Sequence, residues 1–156
     1  MIEGANKRPL YEHQIDAIAK LNQIDKGSCF SSLLVIPTGG GKTFTAVRWL
    51  LNAAVDKEKK VLWIAHRHLL FDQAYDTFMK SAYSEIMINR SNFRYRIISG
   101  QHDKSINIAS NDDVIIASKD SLTGNLSYLD NWLKEETEIY IVIDEAHHST
   151  AKSYRK

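Results

Sequence analysis

Residues 36–43 read IPTGGGKT, from Ile36 through Pro37, Thr38, Gly39, Gly40 and Gly41 to Lys42 and Thr43. The whole chain has 7 glycines and 2 prolines, and three of those glycines stand side by side here with Pro37 just before them. In a chain this poor in loop formers, such a concentration marks a turn that other residues cannot build. The run Ser32–Ile36 (SLLVI) ahead of it predicts a short buried strand, and Gly41–Ala54 behind it predicts a helix with Phe44, Val47, Leu50 and Leu51 on its apolar face. A strand, a glycine turn and a helix in that order make a phosphate cradle. The first turn of a helix carries unpaired N–H groups and the positive end of the dipole. Glycines let that backbone close around phosphate oxygens, because no Cβ is in the way. Pro37 to Gly41 are therefore expected to line a nucleotide site. Lys42 is placed to reach the β- and γ-phosphates, and Thr43 to offer its hydroxyl to Mg²⁺. The strict phosphate-loop pattern has glycine where Ile36 stands, which points to a subclass of phosphate-loop proteins rather than away from the class.

A second constellation lies near the other end. Ile139–His148 reads IYIVIDEAHH, a buried-strand run that stops on two adjacent carboxylates. Such a pair belongs at the carboxyl edge of the sheet, where ligands bind in open α/β folds, and the glycine turn lies at a strand's carboxyl end too. Asp144 is then expected to hold Mg²⁺ together with Thr43, and Glu145 to orient and deprotonate the attacking water. His147 and His148 are adjacent, so their side chains diverge. Coupling the nucleotide site to a neighbouring domain suits them better than metal ligation.

Between these ends the chain alternates. Leu10–Ile24 has apolar Ile15, Ile18, Leu21 and Ile24 at helical spacing, with Gly27 and Ser28 as its stop. Asp56–Lys60 reads as a solvated loop, Val61–Ala65 as a strand and Leu69–Met79 as a helix. Tyr95–Ser99 and Val114–Ala117 are further strand candidates. Ser118–Leu133 is partly helical, interrupted at Gly124, and Ile139–Ile143 is the last strand. Short apolar strands alternating with helices predict an α/β fold with a parallel sheet sandwiched by helices. Asn89–Tyr95 with Arg96 interleaves basic and aromatic residues; a strand entry with a solvated face is the plainer account of it than a single-strand platform.

Composition sets outer bounds. The 156 residues, 44% hydrophobic and 25% charged, suit one globular domain and exclude a disordered or coiled-coil chain. The net charge of +1 neither supports nor excludes nucleic acid, since affinity follows the local charges that meet phosphates. No apolar run is long enough for a membrane span, and the N-terminus is too polar for a signal peptide. A single cysteine, Cys29, cannot form an intrachain disulfide, which fits a reducing, cytoplasmic setting.

IPTGGGKT and DEAHH together resemble motifs I and II of superfamily-two helicases and translocases. RPLYEHQIDAI (Arg8–Ile18) resembles the segment before motif I in the restriction-enzyme and repair branches, IAHRHLLFDQA (Ile64–Ala74) resembles motif Ia, and IIASKDSL (Ile115–Leu122) resembles motif Ib, with Ser118 where threonine is usual. The nearest likeness is to the helicase domain of type I and type III restriction enzymes. It implies a RecA-like phosphate-loop NTPase, with an adenine-recognition region over residues 1–30 and a partial ATP-binding domain over 31–156. It further implies ATP and Mg²⁺ as cofactors and nucleic acid, DNA rather than RNA, as partner. Arg8, Tyr11 and Gln14 would meet the adenine; Lys42, Thr43, Asp144 and Glu145 would form the triphosphate site; Arg67 and Ser118 would touch the nucleic-acid backbone. In that family a further strand inserts between those of motifs I and II, and a second RecA-like domain follows. The chain is accordingly expected to be a truncated helicase half, weak or inactive alone. A non-hydrolysing nucleotide- or nucleic-acid-binding module is the alternative. A kinase-like NTPase lacks any segment for an acceptor site.

Overall fold

A computed structural model describes residues 8–26, 29–37, 39–66, 68–100, 104–133 and 138–144. Two helices come first, α1 (Glu12–Ile24) and α2 (Lys42–Ala53). Strand β1 (Lys60–Ala65), helix α3 (His68–Ser81) and strands β2 (Tyr95–Ile98) and β3 (Val114–Ser118) follow. Short α4 (Lys119–Leu122) and α5 (Ser127–Leu133) lead to β4 (Ile139–Ile143). The four strands form one parallel sheet in the order β2-β3-β1-β4.

The two-residue period of the strands sorts the core. Val61, Trp63 and Ala65 of β1, with Val114 and Ile116 of β3, face a cluster built on Val47, Leu50, Phe71 and Phe78 of α2 and α3. Leu62, Ile115 and Ala117 face the other way, onto Leu122, Leu129 and Trp132 of α4 and α5. Helices therefore cover both faces, and the expected α/β sandwich is what forms. Gly124, at φ +78°, makes the break between α4 and α5.

Two expectations need correction. Ser32–Ile36 is not a strand: residues 31–37 join no sheet, and Leu33 and Val35 are 72% and 77% exposed, although Ile36 is buried. A strand is held by its neighbours, and among the described residues none lies beside this segment. β4 is correspondingly the sheet's edge rather than an interior strand, with Ile141 58% exposed. The second correction concerns Asp56–Lys60, expected to be solvated. Asp56 and Lys60 are buried. Asp56 accepts from Asn89 N and Nδ2, both at 2.8 Å, and Lys60 Nζ donates to the carbonyl of Ser110 at 2.5 Å. Full partnering is what lets these charges leave water.

The basic–aromatic stretch is absorbed into the same amino-edge lattice. Arg90 grips Asp113 with two hydrogen bonds (2.8 and 3.1 Å), and that partner raises the pKa of its guanidinium. Arg96 Nε donates to Asp112 at 2.6 Å, and Phe93 packs on Phe78. These residues build the strand entry; they do not form an open stacking platform.

An aromatic ladder ties the outer elements together. Phe30 meets Trp49 edge-on, Trp49 meets Tyr140 edge-on at 5.5 Å, and Tyr140 donates its hydroxyl to Asp25 at 2.7 Å. This last bond joins β4 to the end of α1. Burial and then the bond to Asp25 push the Tyr140 phenol well above its usual value. The unfolded phenol ionises near pH ~10. The raised folded value thus contributes stability that is complete below about pH 10 and is lost as pH rises further. Tyr140→Phe is expected to cost about 1–2 kcal/mol at neutral pH and to flatten the alkaline decline, as urea titrations at about pH 8 and about pH 10.5 would show.

Candidate nucleotide site

Helix α2 runs from the carboxyl edge of the sheet to the amino edge, because the turn Val55–Lys57 at its foot leads almost directly into the first residue of β1. The glycine turn therefore sits at the carboxyl edge. Gly41, at φ +79° and ψ +44°, is the N-cap of α2, and no side chain caps that helix start. Its first-turn N–H groups and dipole are thus left to an anion. Gly40 N donates to Pro37 O at 2.8 Å, which tightens the bend, and Thr45 Oγ1 donates to Gly41 O at 2.8 Å from the turn below.

Helix α1 holds the bend in place. Gln14 is only 1% exposed. Its Oε1 accepts from Tyr11 N at 3.0 Å, the back-reaching half of a capping box, and its Nε2 donates to Gly40 O at 2.9 Å. His13 Nε2 lies 3.0 Å from the same carbonyl and stacks on Tyr11. A Cβ on Gly41 would come within 2.6 Å of Gln14 Nε2, and one on Gly40 would strike Ile36 and the Pro37 carbonyl. The close approach of α1 thus requires glycine at position 41, and the tightness of the bend itself requires it at position 40, demands separate from any ligand.

Beside the bend opens a cleft of about 890 Å³, ample for a nucleotide. Gly39, Gly41, Lys42 and Thr43 line one side, and Arg8, Pro9 and Phe44 another. Arg8 lies over the Phe44 ring at 4.2 Å, a cation–π contact that fixes the start of the described chain to α2. The remaining wall comes from α3 and the residues just after it.

The structure brings Arg8, Gly39, Gly41, Lys42 and Thr43 together on the cleft wall, whereas buried Gln14 and the Gly40 carbonyl it holds are not part of that wall. Tyr11 is 65% exposed and stands outside the cleft wall, and Pro37 acts through its carbonyl. Asp144 follows β4, with its N–H donating to Ile64 O at 2.8 Å and its Oδ2 shielded from solvent. It shares the carboxyl edge with Lys42 but is not part of the cleft wall. Ser118 caps α4, its Oγ accepting from Ser121 N at 3.0 Å. Thr38, Arg67, Glu145, His147 and His148 lie outside the described residues. Sequence reasoning missed His13 and the α3 wall. The position of His13 beside Gln14 was the available hint; helical spacing gives no sign that α3 borders the cleft.

A parallel sheet covered on both faces, with a glycine bend opening a helix at its carboxyl edge, defines a RecA-like phosphate-loop domain. The family model for the type III restriction enzyme res subunit matches residues 7–156, and the chain belongs to that family. It is 34% identical over 153 residues to "Putative ATP-dependent helicase IRC3" of Saccharomyces cerevisiae, covering 94% of this chain and 20% of the relative. It is 38% identical over 73 residues to "Type I restriction enzyme EcoAI endonuclease subunit" of Escherichia coli, covering 46% of this chain and 9% of the relative. No solved structure matches significantly. The chain thus spans a fifth or less of the length of these relatives. Among the described residues no helix is long and apolar enough to cross a membrane.

Proposed function

We propose that the chain is the ATP-binding half of a helicase or translocase that couples ATP hydrolysis to movement on nucleic acid, DNA rather than RNA. The observation that carries this reading is the uncapped start of α2 behind the glycine bend, with Lys42 and Thr43 on the wall of a nucleotide-sized cleft. Bound ATP and Mg²⁺ would supply the phosphoryl group and its charge clamp. Backbone amides at the start of α2 hold the phosphates, and Lys42 neutralises the β- and γ-oxygens. Thr43 and Asp144 provide the hard oxygen donors that suit Mg²⁺. Glu145 orients the attacking water and takes its proton. Arg8 and Gln14 meet the adenine, Arg67 and Ser118 the nucleic-acid backbone, and His147 and His148 couple the site to a second RecA-like domain.

That second domain, and a strand seated on the open side of β4, belong to the longer protein in this reading. The exposure of Ile141, Leu33 and Val35 supports it, since apolar strand-like surface normally has a cover. In the longer protein, nucleic acid is expected to stimulate ATP hydrolysis. Lys42→Ala and Glu145→Gln are each expected to lower turnover at least about 100-fold, as phosphate-release assays would show. Turnover indifferent to both changes contradicts the assignment. The same open edge favours nucleotide binding without turnover by residues 1–156 alone.

A further inference from the structure

We propose that Asp76 on α3 recognises the ribose hydroxyls of the bound nucleotide and sets a preference for ribonucleotides. This rests on the cleft being the ATP site. The cleft runs from the glycine bend to a wall made by Gln73, Asp76, Thr77 and Lys80 of α3, residues that lie outside the phosphate-loop segment. Among the described residues that line the cleft, Asp76 is the single carboxylate. A triphosphate seated at the start of α2 carries several negative charges, and Coulomb repulsion keeps it away from a carboxylate that no Mg²⁺ bridges to it. What Asp76 can face is the uncharged, hydroxyl-bearing part of the ligand. A carboxylate is an acceptor-only group, and a vicinal diol offers it two O–H donors, the charge-assisted pairing that acidic residues make with ribose elsewhere.

The carboxylate is accessible to a ligand, with the Asp76 side chain 57% exposed. Lys80 Nζ sits 3.5 Å from Asp76 Oδ2, one turn on, an exposed pair of little energetic weight. Thr77 Oγ1 donates to Gln73 O at 2.6 Å, so that hydroxyl is spent within the helix. Asp76 is thus the charged acceptor among the described residues of this wall.

The test measures affinities of the 156-residue chain for ATP, 2′,3′-dideoxy-ATP and inorganic tripolyphosphate by calorimetry, in wild type, Asp76→Asn, Asp76→Ala and Lys42→Ala. ATP is expected to bind wild type about tenfold or more tightly than its dideoxy analogue. Both Asp76 variants are expected to bring that ratio within about twofold while leaving tripolyphosphate affinity unchanged. Melting curves matching wild type would show that these surface variants fold. A ratio that is the same with and without the carboxylate overturns the ribose assignment. If tripolyphosphate binding is then still lost in Lys42→Ala, the phosphate site stands alone. Absence of binding by both ATP and tripolyphosphate in wild type overturns the site as a whole.

Discussion

Gly41→Ala is expected to destabilise the domain by about 2–4 kcal/mol and to abolish nucleotide binding. Two costs combine. The residue sits at φ +79°, where a side chain costs about 1–2 kcal/mol. Its Cβ would also come within 2.6 Å of Gln14 Nε2, displacing a buried amide from Gly40 O at about 1–3 kcal/mol. The neighbouring position separates these costs. Gly39 shares φ +79°, but a Cβ there meets nothing within 4 Å. Gly39→Ala should therefore show the backbone strain alone, about 1–2 kcal/mol. Urea denaturation of the two variants side by side reads the difference. Equal losses would mean that the contact with α1 contributes nothing.

Asp112→Ala is expected to cost about 2–4 kcal/mol, far from the nucleotide site. Asp112 is 3% exposed, and its carboxylate accepts from Arg96 Nε at 2.6 Å and from Ala109 N at 2.9 Å. Removing it strands a half-buried amide and takes a close partner from a guanidinium that is 23% exposed, so the full cost of a buried broken pair is discounted for solvent. Its backbone carbonyl, which alanine keeps, accepts from Trp132 Nε1 at 2.5 Å. The α5 anchor should thus survive, and the loss should appear as a lower urea midpoint at unchanged slope. A loss under about 0.5 kcal/mol would show that the pair is no more than a surface contact.

Much of the sheet was legible in the sequence because β1 and β3 are continuous apolar runs between helical segments, a pattern that parallel strands covered on both faces impose. The failure at Ser32–Ile36 has the same root. SLLVI carries the composition of a strand, but pairing is a property of neighbours, and composition does not say whether a neighbour is present. Asp56 and Lys60 misled for a related reason: their partners, Asn89 and Ser110, are more than 30 residues away in sequence. At the site, GGGKT announced a phosphate cradle through local chemistry alone. The grip of His13 on Gly40, across 27 residues, left no sign beyond its place beside Gln14.

The Gln14 amide has both of its ends in use, one on Tyr11 and one on Gly40. Each end keeps one further position, an N–H on Nε2 and a lone pair on Oε1, but the two bonds together fix how the amide is turned. A ligand that shifts the glycine bend therefore turns the amide, and a group that turns the amide pulls on the bend. Displacement at the bend or at the start of α1 is in that sense felt at the other through a single side chain, with the reciprocity that thermodynamic linkage demands.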